Sequence, residues 1–193
     1  MDLLAKRLGI SVVYHPRQFS DLFQDFKDGR VQILLNVGWP NENVASLGPA
    51  ITDPYAYFEP VVLVERESSD ATAGRTLKTA EDYAGARLAF QTGSYAANSM
   101  KAYHPEPVPV VNDIQGIAKV IWRRAQGVVT DRLVGAHLSE RFFHGSIVPA
   151  TEPIEKLQVV MALHDSQRDL RDRINAELQS PEVRRQIRGI VRN

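Results

Sequence analysis

The strongest constraint on the fold is that short, apolar, strand-like runs alternate with helical segments along the whole chain. A helical segment with Leu4 and Leu8 one turn apart precedes a predicted strand at residues 12–14, and a second helix ends near Gly29. Further strands are predicted at residues 31–35, 61–64, 87–90, 108–111, 127–130 and 157–163. This alternation predicts an α/β fold, in which helices cover the faces of a sheet.

The length and composition are those of an ordinary globular chain. A length of 193 residues allows one large domain or two small lobes, and an apolar fraction of 44% is enough to fill a core. The small, polar run at residues 68–75 is the best candidate for a linker between lobes. Two capped helices are predicted to follow Ser166 and Ser180.

The composition disfavours several classes of function. The 23 basic and 23 acidic residues cancel, so no net charge recruits nucleic acid or an acidic membrane surface. No apolar run approaches the ~18 to 20 residues of a membrane span, and the first residues lack the apolar stretch of a secretory signal. Because the chain has no cysteine, disulfides, thiolate zinc sites and thiol nucleophiles are excluded.

The sequence also lacks the common signatures of catalysis and cofactor binding. It contains no phosphate-binding loop, dinucleotide-binding glycine motif, serine nucleophile elbow or zinc-protease motif. Its five histidines are scattered without the spacing of metal ligands, so we predict no metal site and no cofactor. We therefore expect a protein that is not an enzyme.

Two segments at predicted strand ends are eligible to bind a ligand. The first consists of Gln91, Thr92, Gly93, Ser94 and Tyr95. It follows a strand and opens a helix, whose free backbone N–H groups favour an anion, but an ordinary helix cap formed by Ser94 fits the same pattern. The second is Asp131, which ends a strand where open α/β sheets bind ligands and where helix caps also lie.

Six short segments, taken in order, resemble those of one protein family. They are residues 2–9, 28–34, 52–55, 77–85, 89–94 and 127–131, which include a Thr-Asp-Pro-Tyr turn and a Gly-Val-Val-Thr-Asp strand end. The chain resembles the type II periplasmic solute-binding proteins, specifically the polar amino-acid-binding family that also supplies Venus-flytrap sensor domains. The likeness spans essentially the whole chain, and its specificity comes from the order and spacing of the segments.

The resemblance implies a two-lobed α/β fold of the periplasmic-binding-protein type II. Lobe 1 would be discontinuous, with residues 1–66 and 164–193, and lobe 2 would contain residues 67–163. Hinge strands would cross between the lobes at residues 61–67 and 159–164. A ligand that touches both lobes would favour a closed state through its differential contacts.

The resemblance also implies roles for the candidate residues. The turn from Gln91 to Tyr95 would hold a ligand carboxylate through Ser94 and the backbone beside it. Asp131 would pair with an α-ammonium group. Gly38 and Trp39 would line the wall of lobe 1.

Two departures from the family pattern lead to further expectations. The first-lobe arginine that clamps the ligand carboxylate aligns with Ala45, so we expect weak binding of ordinary amino acids. The family's first strand precedes the segment that opens at Met1, so lobe 1 is expected to be incomplete, with a central strand missing between residues 12–14 and 31–37. We expect either a longer natural chain or pairing with a second copy through lobe 1.

The resulting hypothesis is that the protein binds a small, polar, amino-acid-like solute in the inter-lobe cleft. Its partner would be an ABC-transporter permease or a signalling domain, and its location the periplasm. One alternative is an enzyme on the same scaffold, resembling prephenate or arogenate dehydratase, for which Glu42 and Asp131 are the obvious candidates for acid/base groups. Another is the effector-binding domain of a transcriptional regulator, although the chain contains no helix-turn-helix segment.

Overall fold

The computed structural model describes residues 1–17, 19–66 and 77–192, so the predicted linker at 68–75 lies outside the described residues. The strands are β1 Ile33–Trp39, β2 Ala50–Ile51, β3 Ala56–Phe58, β4 Pro60–Glu65, β5 Arg87–Gln91, β6 Glu106–Val110, β7 Gly127–Asp131, β8 Ile147–Pro149 and β9 Leu157–Leu163. The α-helices are α1 Asp2–Leu8, α2 Phe19–Lys27, α3 Glu42–Ala45, α4 Tyr95–Ser99, α5 Asp113–Ile121, α6 Arg132–Phe143, α7 Arg168–Leu178 and α8 Pro181–Arg192. Short 3₁₀ helices span Ala80–Tyr83, Lys101–Tyr103 and Asp165–Gln167.

Residue contacts divide the chain into two compact units. The first unit contains Met1–Tyr57 and Leu157–Asn193, and the second contains Phe58–Lys156. The first unit is thus discontinuous, and both boundaries come earlier in the chain than the predicted ones after residues 66 and 163. The reason is strand pairing: β4 pairs with β7 and β8 inside the second unit, whereas β9 pairs with β1 and β2 inside the first. The predicted hinge segments therefore lie mostly within the sheets of the two units.

In the first unit, β9 is the central strand of a small sheet. The order is β1-β9-β2, with β3 also paired to β9, and β1 and β2 run antiparallel to β9. Successive side chains of β9 point to opposite faces, as a strand requires. Met161 and Leu163 pack in a cluster with α1, α7 and α8, whereas Val160 and Ala162 pack in a cluster with α2 and α3. The first unit therefore has helices on both faces of its sheet.

A tyrosine fixes an irregularity in the middle of β1. The register with β9 shifts between Leu34 and Val37, and Asn36 adopts a left-handed conformation with φ 56°. The backbone N–H of Asn36 donates to the hydroxyl of Tyr55 at 3.1 Å, and that hydroxyl donates to the Asn36 side-chain oxygen at 2.7 Å. Burial raises the pKa of Tyr55 to about 12, so the hydroxyl stays protonated and available as a donor. Tyr55 thereby pairs the backbone amide of Asn36, which lies at the shift in the β1–β9 register, and holds the Asn36 side chain beside it.

The predicted strand at residues 12–14 is not formed. Residues 10–17 follow α1 without regular secondary structure, and the Val13 and Tyr14 side chains are 77% and 52% exposed. β-branched residues favour a strand only where a neighbouring strand supplies the ladder and a packed face. In the described structure no strand pairs with residues 12–14, although β1 is the edge strand of the first-unit sheet, because a cavity lined by residues 10–17 and 30–35 separates the two segments.

The second unit contains a five-stranded sheet whose order is β6-β5-β7-β4-β8. Strands β6, β5 and β7 are parallel, whereas β4 runs antiparallel to both β7 and β8. The central strands are buried on both faces: Val128 of β7 lies in one hydrophobic cluster and its neighbour Val129 lies in the other. The predicted strands at residues 61–64, 87–90, 108–111 and 127–130 are confirmed, with bounds that shift by one or two residues.

Of the two helix caps predicted in the first unit, Ser180 caps α8 by accepting from the Val183 amide at 3.4 Å, whereas α7 begins after Gln167, so the predicted cap at Ser166 is wrong.

Candidate functional site

Three helix starts follow the carboxyl ends of the parallel strands in the second unit. In the register of β5 with β6, Gln91 lies opposite Val110, and β7 pairs in parallel on the other side of β5. Each strand leads into a helix capped by a polar side chain: Ser94 caps α4, Asn112 caps α5 and Asp131 caps α6. We call this edge of the sheet, with its three caps, the capped edge. It is the edge at which open α/β sheets bind ligands.

The turn at residues 91–95 is tightly organised by its own backbone. Gly93 has φ 75°, a left-handed conformation that glycine adopts without strain, and the Ser94 amide donates to the Gln91 carbonyl at 3.1 Å. The Ser94 hydroxyl accepts from the Ala97 amide at 3.2 Å, so the cap role of Ser94 is confirmed. The Ser94 hydroxyl proton and the Tyr95 amide at the helix start are the donors that this turn can offer to an anion.

Tyr95 points its hydroxyl towards an acidic side chain. The phenol donates to Glu155 at 3.2 Å, and burial together with the negative charge of Glu155 raises the pKa of Tyr95. The Thr92 side chain is exposed, whereas Gln91 is half-buried at the end of β5. The predicted role of this turn in anion binding stays a prediction.

The Asp131 carboxylate is buried and heavily used by the fold. It is only 6% exposed. One oxygen accepts from the Leu133 amide at 3.0 Å and the Val134 amide at 3.1 Å, and the other accepts from the Glu59 amide at 2.9 Å. A carboxylate offers about four lone-pair positions, so three are occupied and about one remains for a further donor. The predicted pairing of Asp131 with an ammonium group is therefore limited to a single hydrogen bond.

A second carboxylate at the capped edge was not predicted from the sequence. Asp113 is the first residue of α5, and burial raises its pKa, an effect that the nearby Asp131 charge increases and a hydrogen bond from Thr130 opposes. The pair Asn112-Asp113 follows a strand that is parallel to β7, so strand order is the signal that would have placed it beside Asp131. Two carboxylates at one edge favour a cationic group in a ligand.

Charged side chains flank Asp131 on the side of β4. Arg132 contacts the Glu59 carboxylate at 2.7 Å, and Lys156 contacts its other oxygen at 3.5 Å. The Arg132 amide also donates to the Glu59 carbonyl at 3.0 Å. These contacts tie the start of α6 to the segment just before β4, and their ion pairs were not predicted from the sequence.

The predicted first-unit residues lie at the end of β1 and in the helix after it. Gly38 and Trp39 are half-buried in the last two positions of β1, and Trp39 packs against the cluster beneath α2 and α3. Ala45 ends α3 and is exposed, and Asn41 caps that helix by accepting from the Val44 amide at 3.1 Å. These residues belong to a different unit from the capped edge, so their roles as ligand contacts stay predictions.

No helix in residues 1–17, 19–66 and 77–192 is long and apolar enough to cross a membrane. The same ranges contain no group of three or more histidine, aspartate or glutamate side chains arranged to hold a metal ion.

The sequence matches no family model, and no curated protein matches it. Solved structures do match. A mutant of ArgBP from T. maritima has 19% identity and a TM-score of 0.81, with 98% of this chain and 80% of that chain covered. The GluR0 ligand-binding core in complex with L-glutamate has 16% identity and a TM-score of 0.83, with 98% and 84% covered.

A third similar structure is an ancestral amino acid-binding protein, AncCDT-1, described as a precursor of cyclohexadienyl dehydratase. It has 19% identity and a TM-score of 0.77, with 98% of this chain and 79% of that chain covered. Identities at this level establish the fold. The predicted fold class is confirmed: the chain has the α/β fold of the type II periplasmic binding proteins.

Proposed function

We propose that this protein binds a small, amino-acid-like solute and carries out no chemistry on it. The observation that carries the proposal is the capped edge, where a helix-start turn with free donors and two carboxylates follow adjacent parallel strands. The similarity in fold to ArgBP and to the glutamate-bound GluR0 core supports the same conclusion.

The chemistry of the capped edge suits a zwitterion. The Ser94 hydroxyl and the Tyr95 amide, at the start of the five-residue helix α4, are donors for a carboxylate. Asp131 has about one lone-pair position left for an ammonium group, and Asp113 adds negative charge beside it. Gly38 and Trp39 are proposed to contribute the first-unit wall.

Weak affinity for ordinary amino acids is part of this proposal. A bidentate arginine is the strongest grip that a protein has on a carboxylate, and Ala45 occupies the position where the resembled family has one. A single helix start offers a carboxylate fewer and weaker donors than an arginine side chain does. The natural solute is therefore expected to draw its affinity from groups other than the α-carboxylate.

A dehydratase is the second candidate, and the similarity to AncCDT-1 favours it over other enzymes. One of its two candidate acid/base groups, Asp131, accepts three backbone hydrogen bonds, so about one lone-pair position is left to contact a substrate. Turnover of prephenate or arogenate by the purified chain would establish the enzyme and remove the binding proposal.

For the cellular role, we propose solute delivery to an ABC-transporter permease or to a signalling domain, in the periplasm. The effector-binding domain of a regulator is the alternative. Two assays separate these roles. A pull-down from a membrane fraction would detect a permease or a signalling receptor, and a DNA-binding assay would detect a regulator.

The test of solute binding starts with native mass spectrometry of the freshly purified protein, which reports any solute carried through purification. Isothermal titration with that solute, or with arginine, glutamine and glutamate, then compares Ser94→Ala and Asp131→Asn with the unmodified chain. Both are expected to weaken binding by about tenfold, since each removes a charge-assisted or capping contact. Thr79→Ala is the matched control, because Thr79 caps a 3₁₀ helix that precedes β5 and not the capped edge. Equal affinities in all four proteins would refute the proposed site.

A further inference from the structure

The large, exposed apolar residues that the structure describes in the second unit fall into two sets. One set lies at or just before the starts of α5 and α6, at the capped edge, and comprises Val111, Ile114, Leu133 and Val134. The other set is Trp122, which directly follows α5, and Phe142 in the last turn of α6; they are 64% and 51% exposed. The first set surrounds the capped edge, whereas the second set has no part in the proposed function.

Trp122 and Phe142 lie at one edge of the second-unit sheet. Helix α5 leads from β6 to β7, which are both parallel to β5, so it ends at the edge where β7 begins. Helix α6 leads from β7 to β8, which are both antiparallel to β4, so it ends at the same edge. Both helices pack on one hydrophobic cluster, through Ile117 and Leu138, so they are neighbours with axes about 10 Å apart. The edge opposite to the capped edge therefore carries both aromatic residues.

An arginine lies over each of the two aromatic rings. The guanidinium carbon of Arg124 is 5.8 Å from the centre of the Trp122 ring, and that of Arg141 is 5.5 Å from the centre of the Phe142 ring. Both distances are within the range of about 6 Å for a cation–π contact. Neither arginine forms an ion pair with a residue that the structure describes, so both keep N–H donors for a carboxylate. We call Trp122, Arg124, Arg141 and Phe142 the aromatic edge.

The turn that carries Trp122 and Arg124 is held by backbone hydrogen bonds. The Arg123 amide donates to the Val120 carbonyl and the Arg124 amide donates to the Lys119 carbonyl, both at 2.8 Å. Arg123 has φ 55°, a left-handed conformation that glycine usually supplies after a helix and that arginine seldom adopts. Backbone strain of this kind is frequent at binding sites. Because the turn is fixed before binding, docking of a partner costs less conformational entropy there.

The charge around the aromatic edge is positive. Four cationic residues lie in the last turns of the two helices and in the turn after α5: Lys119, Arg123, Arg124 and Arg141. The one acidic residue within residues 118–126 and 140–143, Glu140, lines a separate cavity with Arg66. The helix dipole favours cations at a helix end, but it does not account for an exposed tryptophan or for an arginine in a left-handed conformation. This charge is complementary to an acidic partner.

From these observations we propose that the aromatic edge docks an acidic segment of a partner protein. Recognition of acidic motifs by arginine clusters is a general binding mode, and tryptophan and arginine supply much of the energy of protein interfaces. The helix spacing of about 10 Å equals about three residues of extended chain, so the segment has two carboxylates about three positions apart. An apolar side chain between them packs on the two rings. All residues of the aromatic edge lie away from the capped edge, so the proposal does not rest on the proposed function.

Two other anionic partners fit the aromatic edge less well. A helix that binds a membrane surface presents a broad apolar face, whereas here a guanidinium lies over each ring. A nucleic acid requires cations that follow its phosphate backbone, and the net charge of this chain is zero. The experiment distinguishes both from an acidic polypeptide.

The experiment is a selection from a random library of peptides of about twelve residues on the immobilised full chain, repeated on Trp122→Ala. Peptides with two acidic residues about three positions apart and an apolar residue between them are expected to be enriched on the unmodified chain only. Fluorescence anisotropy with the most enriched peptide is expected to show saturable binding. A copy of that peptide with asparagine and glutamine in place of aspartate and glutamate is expected to bind at least about tenfold more weakly.

Three substitutions in the protein locate the binding surface. Trp122→Ala, Arg124→Glu and Arg141→Glu are each expected to weaken binding of the enriched peptide by about tenfold. All three side chains are exposed, so the fold is expected to persist, and circular dichroism checks this. Arg185→Glu in α8 makes the same charge change at an exposed residue of the first unit, and it is expected to bind the peptide normally.

Three results would overturn the proposal. The first is a selection that enriches no acidic peptides. The second is equal binding of the enriched peptide to Arg124→Glu, to Arg141→Glu and to the unmodified chain. The third is binding to phosphatidylglycerol vesicles or to single-stranded DNA that is tighter than peptide binding and is lost in Trp122→Ala, since a membrane or a nucleic acid would then be the partner.

Discussion

Replacing Asp131 by alanine tests whether this side chain is primarily a structural cap. The substitution removes the acceptor for two amides at the start of α6 and for the Glu59 amide before β4. Loss of a helix cap costs about 1 kcal/mol, and a half-buried amide left without a partner costs about 1 to 3 kcal/mol. The free energy of unfolding should therefore fall by about 2 to 4 kcal/mol.

Two further variants separate these contributions. Asn112→Ala removes an ordinary cap whose side chain accepts from one amide, that of Gln115, so it should cost only about 1 kcal/mol. Asp131→Asn keeps one oxygen as the α6 cap, but its NH₂ group would face the Glu59 amide, so its cost should lie between the other two.

The assay is urea unfolding followed by far-UV circular dichroism, with thermal melts as a second measurement. For a chain of this size, a loss of about 3 kcal/mol lowers Tm by about 6 to 12 °C. If Asp131→Ala proves no more destabilising than Asn112→Ala, the three-amide description of this carboxylate is wrong.

Four other substitutions have defined outcomes. Gly135→Ala should lower the free energy of unfolding in urea by about 1 to 3 kcal/mol, because its new Cβ would lie 2.3 Å from a Leu63 methyl carbon. Gly189→Ala, whose new Cβ would have nothing within 4 Å, should raise the free energy of unfolding by about 0.5 to 1 kcal/mol. Asp113→Asn should be more stable than the unmodified chain at pH 7, because the raised pKa of Asp113 in the folded state means that its ionisation destabilises the fold. The difference in free energy of unfolding should disappear as the pH falls through the folded-state pKa to the pKa of an ordinary aspartate. Ala45→Arg should increase affinity for amino acids in isothermal titration. A micromolar amino-acid ligand of the unmodified chain would contradict the placement of Ala45 at the position of the family's arginine.

Much of the second unit could be predicted from sequence because its signals are local and agree with one another. β7 is a β-branched run, and α5 carries Ile117 and Val120 on one face after the Asn112 cap. Helix α6 is not predicted from the sequence, because its local signals do not agree. Its apolar side chains include Leu133 and Phe142, which are exposed, so its sequence has no single apolar face to reveal a helix.

The segment at residues 12–14 shows the limit of local propensity. Its β-branched residues are typical of a strand, yet whether they form one depends on a neighbouring strand that their own sequence does not specify. The turn at residues 52–55 shows a second limit. Its residues form hydrogen bonds within the first unit. The Thr52 hydroxyl accepts from the Met161 amide at 2.9 Å, and the Asp53 amide donates to the Asn175 side chain at 2.8 Å. Those partners lie more than a hundred positions away in sequence, so spacing alone cannot identify them.

The sequence pattern places Ser94 and Asp131 at strand ends but does not separate a helix cap from a ligand contact, because both require the same residue at the same place. Asp131 is predicted to meet the ligand, and its second oxygen already holds the amide of Glu59, immediately after the chain enters the second unit. Glu59 in turn contacts Arg132 through both its backbone and its carboxylate. A ligand donor that binds the remaining lone pair of Asp131 shares the carboxylate with the Glu59 amide. Ligand binding and the anchoring of the segment around Glu59 therefore depend on the same side chain. A sequence can show that an acidic residue ends a strand, but only the three amides around it show how little of that carboxylate is left for a ligand.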